Sequence, residues 1–241
     1  MTTQARTPQA DKASLRGPAI ITTIAVILAL ALGTWQVKRL FWKRDLIARI
    51  DARAMAPVVQ LPLAGAINAD EWSFRRVDLR GQYLYDREAH VLARDPLGRL
   101  GYNIFTPLRR QNDLVMVNRG WVPEAQKDPA SRAAGQLAGT VAVRGVVRVP
   151  WARPMFIPEN DPAKNMWFYP DIRRMAAGIA GPLSPVFVEA DATPNPGGLP
   201  KGGLARHEIP NNHLEYAITW YALALVGVII FLIYRRQQQT P

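Results

Sequence analysis

Two uncharged stretches near the ends of the chain constrain its fold more than anything between them. Residues 17–37, GPAIITTIAVILALALGTWQV, run for 21 residues without a charge between Arg16 and Lys38. At about 1.5 Å per helical residue they cross a hydrocarbon core of roughly 30 Å. Residues 216–234, YAITWYALALVGVIIFLIY, supply 19 more between Glu215 and Arg235-Arg236. Trp35 in the first stretch and Tyr216, Trp220, Tyr221 and Tyr234 near the ends of the second fall where amphipathic rings meet headgroups. Ala29-Leu30-Ala31 fits a cleavage pattern, but a cleavable apolar region is about 7 to 15 residues long, and this one continues into a helical pattern. We read it as an uncleaved anchor.

Two spans put both termini on the same side. The tails hold Arg6, Lys12, Arg16, Arg235 and Arg236, which the positive-inside tendency assigns to the cytoplasm, whereas long intervening segments are translocated largely regardless of charge. The expected organisation is therefore a cytoplasmic tail (1–16), a transmembrane helix (17–37), an outward-facing periplasmic domain (38–215), a second transmembrane helix (216–234) and a cytoplasmic tail (235–241). A bacterial inner membrane is the expected location.

The central segment reads as an α+β domain with an antiparallel sheet. Residues 38–53 continue the first helix, with Trp35, Arg39, Trp42 and Leu46 on one side. Period-two alternation then appears in VDLRGQYLY, where Val77, Leu79, Tyr83 and Tyr85 oppose Asp78, Arg80 and Gln82, and again in TVAVRGVVRV around Val143 and Val147. Turn residues separate further strands at 88–94, 102–110 and 113–118, which suggests a meander. Helices are expected at 124–134 and 171–177 and a late strand at 184–191. The Pro- and Gly-rich stretch 193–203 reads as a linker back to the membrane.

Composition removes several chemistries. There is no Cys, so thiolate metal sites, iron–sulfur clusters and catalytic thiols are excluded. The three His residues, His90, His207 and His213, are scattered. No glycine-rich phosphate loop follows a strand. Glu71, Asp78, Asp86, Glu88 and Asp95 show no general acid/base spacing and read as solvated or salt-bridged. The net charge of +11, from 30 basic against 19 acidic residues, concentrates beside the two spans, where anionic lipid rather than nucleic acid is the natural partner. Arg119-Gly120-Trp121 reads as a structural turn after a strand, or else as a docking surface in which Trp and Arg are energetic anchors. At 100° per residue, His213, Ala217, Trp220, Ala224 and Gly227 share one helix face. That face suits either close helix packing or a flat macrocycle ligated by the imidazole.

Several blocks resemble one known family. Gly33-Thr34-Trp35-Gln36-Val37-Lys38-Arg39, running into Trp42-Lys43 and Leu46-Ile47, is similar to the opening signature of the Surfeit-locus-one proteins, membrane factors that assist assembly of cytochrome c oxidase. The run from Asn211 to Tyr221 is similar to the closing signature, with Glu215 standing where Gln is common. Arg76-Val77, Gly81-Gln82-Tyr83, Asn118 to Pro123, Arg144-Gly145 and Asn165 to Asp171 resemble the remaining blocks, in order.

The resemblance implies two membrane helices enclosing an outward domain, a carrier rather than an enzyme, and a role in maturing the oxidase subunit that holds haem a. It further implies a His at the start of the second span as iron ligand, which maps onto His213. Trp220 and Tyr216 would then lie near the ring. Arg39, Arg44 and Arg206, expected at the same interface, would meet the propionates. His90 and His207 are read as surface residues rather than second ligands. The implied partners are the catalytic subunit of the oxidase and the enzyme that delivers the haem, haem a synthase, with Trp121 and Arg119 as candidate contacts. The competing reading is a membrane-tethered scaffold that binds protein and no haem.

Overall fold

The structure, a computed structural model, describes residues 15–204 and 210–239. Its helices are α1 (Arg16–Met55), the one-turn α2 (Ala69–Trp72) and α3 (Ile172–Met175), and α4 (His213–Gln239). The strands are β1 (Val59–Gln60), β2 (Arg76–Tyr83), β3 (Ala89–Arg94), β4 (Leu100–Arg109), β5 (Leu114–Pro123), β6 (Val141–Arg148) and β7 (Leu183–Ala190). The chain divides into two compact units, Met1–Ala48 with Ile209–Pro241, and Arg49–Glu208.

The first unit is a helix pair. Both α1 and α4 are long and apolar enough to cross a membrane. Pro18 sits in the first turn of α1, where its missing N–H leaves no intrahelical bond unmade. The helix continues past the apolar stretch, as the sequence pattern predicts, and stops shortly before Pro57, which biases the preceding residue away from helical angles. Ahead of α4, the Asn212 carbonyl accepts from the Tyr216 amide at 3.3 Å.

The buried and half-buried positions Val26, Ala29, Gly33, Gln36 and Leu40 of α1 follow one another in alternating steps of three and four residues. His213, Ala217, Trp220, Ala224 and Gly227 do the same on α4. That is the 3.5-residue period of helices packed at a shallow angle. Contacts of Val26 with Gly227, Gly33 with Tyr221 and Gln36 with His213 fix the pair as antiparallel. The opposite faces expose Ile20, Ile24, Ile27, Leu223, Leu225 and Ile230, as suits an apolar solvent.

The second unit contains a barrel. Its sheet runs β1-β2-β6-β7-β5-β4-β3, and β2 also pairs with β4 through Gln82–Arg109 and Tyr83–Leu108. The ring β2-β6-β7-β5-β4 is thereby closed, with β3 extending it beyond β4 and β1 lying on β2. The sheet is mixed rather than antiparallel throughout. The β3-β4-β5 meander is as expected, but β6 leaves it to pair with β2, and β7 returns between β6 and β5. Running antiparallel to β6 makes β7 parallel to β5. Val77, Leu79, Val115, Val117, Val143 and Val188 belong to one core cluster, while Met116, Phe105 and Phe187, at the alternate positions, pack with Trp167, Ile172 and Met175 in another. β5 is consequently buried on both faces from Leu114 to Val122.

The helix expected at 124–134 is instead two 3-10 turns, Glu124–Gln126 and Pro129–Gly135; Pro129 starts the second, and the Asp128 side chain accepts from the Ala130 amide. The stretch read as a linker is tied to the barrel. Lys201 and Trp121 exchange two backbone hydrogen bonds, each 2.9 Å.

Candidate functional site

The first turn of α4 and the last apolar turn of α1 bring together one pair of polar side chains. His213 Nδ1 lies 2.7 Å from Gln36 Oε1. With the Gln36 amide oxygen as acceptor, Nδ1 is assigned the proton and Nε2 the lone pair. Nε2 has no partner among the described residues. Histidines that bind metals are commonly held in this way, the far ring nitrogen donating to a fixed acceptor.

The helix pair below this point is close-packed. Ala217 and Ala224 are buried, and a Cβ placed on Gly33 would meet the Tyr221 ring at 2.9 Å. The Tyr221 hydroxyl lies 3.1 Å from Thr34 Oγ1, which itself donates to the Leu30 carbonyl at 2.8 Å. The small residues of the α4 face thus let the two helices approach.

Other candidate residues fall as follows. Trp220 is half-buried in the seam and Tyr216 is exposed beside it. The Arg39 guanidinium stacks on Trp42 of its own helix at 4.3 Å. Arg44 is exposed. Arg206 and His207 lie outside the described residues, as do Arg6 and Lys12 of the leading tail.

His90 is not the surface residue expected. It is 7% exposed, and its Nε2 sits 2.7 Å from Glu88 Oε1, because β3 packs under the segment that carries Trp167. Glu88 is buried as well and is paired by Arg132 through both carboxylate oxygens. Burial would raise the Glu88 pKa, but the hydrogen bonds from His90 and Arg132 and the guanidinium charge outweigh it and hold the carboxyl below its ordinary range.

Arg119 and Trp121 are 2% and 4% exposed, so neither side chain is available at the surface as a docking anchor. The turn reading accounts for both. Gly120 has φ +121°, and a Cβ there would meet the Lys201 carbonyl oxygen at 2.0 Å, so only glycine lets the two backbones bond.

Comparison with known proteins places this arrangement. The sequence profile of the SURF1 family matches residues 23–225, most of α1, the whole barrel unit and the first half of α4. The chain belongs to the SURF1 family. It is 38% identical over 212 residues to Surfeit locus protein 1 of Mus musculus, covering 81% of this chain and 68% of that one. Against Surfeit locus protein 1 of Homo sapiens the identity is 37% over 216 residues, 82% of this chain and 71% of the other. A SURF1-like protein of Monosiga brevicollis is 36% identical over 225 residues, 88% and 85% of the two chains. Both Gln36 and His213 fall within the SURF1 match.

On sequence alone Gln36 is one residue of a signature, with no role of its own. The available signal was its place on the stripe Ala29, Gly33, Gln36, Leu40: an amide on the packing face of an apolar helix needs a partner across the seam.

Proposed function

We propose that this SURF1-family protein is an assembly factor for cytochrome c oxidase, held in a bacterial inner membrane by α1 and α4 with the barrel domain on the outer side. We further propose that it carries haem a by presenting His213 Nε2 to the iron. The observation that carries the second statement is the 2.7 Å contact between His213 Nδ1 and Gln36 Oε1. It supplies what an iron-ligating imidazole requires, a fixed tautomer and a fixed ring plane, from a residue on the neighbouring helix.

The residues present fit such a group at this end of the helix pair. Gln36 holds the Nδ1 proton, the seam below it keeps α1 and α4 in register, and Trp220 offers an aromatic surface about two turns further along. The seam is filled at Ala217 and Ala224, so the helices do not part to admit a macrocycle at that depth. The hydroxyethylfarnesyl tail of haem a would cost about 0.8 kcal/mol per CH₂ to hold in water, which favours a carrier embedded in lipid. Haem a supplies the redox-active iron when bound; the chain contributes ligation, orientation and an apolar setting. The role is that of a carrier serving the catalytic subunit of the oxidase, with haem a synthase as the source.

The second reading is a tether and scaffold that binds no haem, and the close packing of the α4 face favours it. Co-expression with haem a synthesis, purification in detergent, and pyridine haemochrome and visible spectra of the wild type and His213→Ala separate the two. The carrier reading expects haem a in the wild type and its loss in the variant. Haem content and spectra unaltered in His213→Ala remove His213 as the ligand; no haem in either leaves the scaffold.

A further inference from the structure

The barrel unit holds a charged group that the proposed function does not use. Arg119, on β5, is 2% exposed. Its Nη2 donates to the Gly135 carbonyl, but Nε and Nη1 take no hydrogen-bond partner, and no carboxylate pairs with it, among the described residues. Two nitrogens that together carry three N–H bonds are therefore without an acceptor. The rings of Tyr83 and Tyr85 lie 4.9 and 5.0 Å from its Cζ, and their π-faces offset part of the charge. A buried guanidinium without an anion is nevertheless among the least favourable arrangements in a protein interior.

The side chain lines a cavity of about 460 Å³. Tyr83, Tyr85 and Leu137 contribute aromatic and apolar wall, and Arg80 and Arg144 add positive charge toward solvent. Two carboxylates also line it: Asp78 pairs with Arg144 at 3.0 Å, and Asp191 accepts from the Thr193 amide at 2.9 Å and keeps its charge. The cavity thus has an unmatched cation at its buried end, aromatic and apolar wall beside it, and a mouth at which two guanidinium and two carboxylate groups balance.

We propose that this cavity binds an organic carboxylate with an apolar or aromatic body, the carboxylate being received by Arg119. A single guanidinium flanked by rings suits a monoanion. A phosphate dianion calls for more donors than the buried end supplies. The site is independent of the His213 reading and stands or falls without it.

The test uses the full-length protein in detergent and 4-fluorophenylacetate as probe, followed by ¹⁹F NMR titration against micelles alone. Saturable binding is expected, with 4-fluorophenylacetamide at least about tenfold weaker because it brings no charge to Arg119. Inorganic phosphate at equal concentration should leave the probe bound. Arg119→Gln should abolish saturation. Leu137→Trp, at a half-exposed wall position, should weaken the probe at least about tenfold by filling the cavity while Arg119 stays in place, and it decides the matter if Arg119→Gln fails to fold. Acid and amide binding alike, displacement by phosphate, retention of binding in Leu137→Trp, or no saturable binding at all would each overturn the proposal.

Discussion

The ring of Tyr221 lies where a side chain on Gly33 would have to be: a Cβ added there comes within 2.9 Å of it. Close approach at this level is what sets the depth of the α1–α4 seam, and through it the reach between Gln36 and His213. Gly33→Val should overpack the seam by about 1–3 kcal/mol. Because the chain has no cysteine of its own, the effect can be read as disulfide yield between Val26→Cys and Gly227→Cys, positions that touch across the seam. High yield is expected with Gly33 and a several-fold lower yield with Val.

Gln36 should act on His213 as a positioning residue. Gln36→Leu removes the acceptor for Nδ1 and is expected to lower haem a affinity by about 10- to 100-fold, the usual effect of losing such a support. Gln36→Glu keeps an acceptor oxygen and should retain most of the affinity. The measurement is a haem a titration followed in the Soret region. Equal affinities for the Leu and Glu variants would remove Gln36 from the site.

The Glu88–Arg132–His90 cluster makes the barrel unit sensitive to acid. Glu88 is held below its ordinary value of 4.5 in the folded protein, so the unfolded chain takes up the proton first. The stabilisation is fully present above about pH 4.5 and is lost as pH falls through the lower, folded value. Glu88→Gln should abolish this segment of the pH–stability curve. At neutral pH it should cost about 3–5 kcal/mol, since Arg132 is then buried without its anion. Urea unfolding at pH 7 and at pH 4 checks both statements.

Gly120→Ala should destabilise the same unit by about 2–4 kcal/mol. The new Cβ meets the Lys201 carbonyl at 2.0 Å, and the φ of +121° is one that side chains rarely adopt. Loss of hydrogen-exchange protection at the Trp121 and Lys201 amides would accompany it, whereas Gly65→Ala, with open space around its Cβ and no positive φ, should leave those amides protected.

Which parts of this architecture could be read in the sequence follows from burial. β2 and β6 each have a solvent face, so Val77 and Leu79 alternate with Asp78 and Arg80, and the strands announce themselves. β5 has none. Its second face is covered by the segment around Trp167, so alternation disappears, and the pattern that suggested a strand to residue 118 continues in fact to Pro123. Barrel closure rests on two residue pairs between β2 and β4 and leaves only a faint trace, Gly81, where a side chain would strike the Arg109 carbonyl. The stripe of α4 was legible from helical spacing, but its polar partner was not, because Gln36 and His213 are 177 residues apart and neither alone specifies the other.

Joining β2 to β4 has a consequence for how copies of the barrel unit meet one another. A five-strand ring keeps its main-chain donors and acceptors to itself, and β3, outside the ring, is met by Trp167 at Val91 and Leu92. Barrel units brought side by side therefore present little open backbone ladder for one another to extend, which guards against runaway strand exchange.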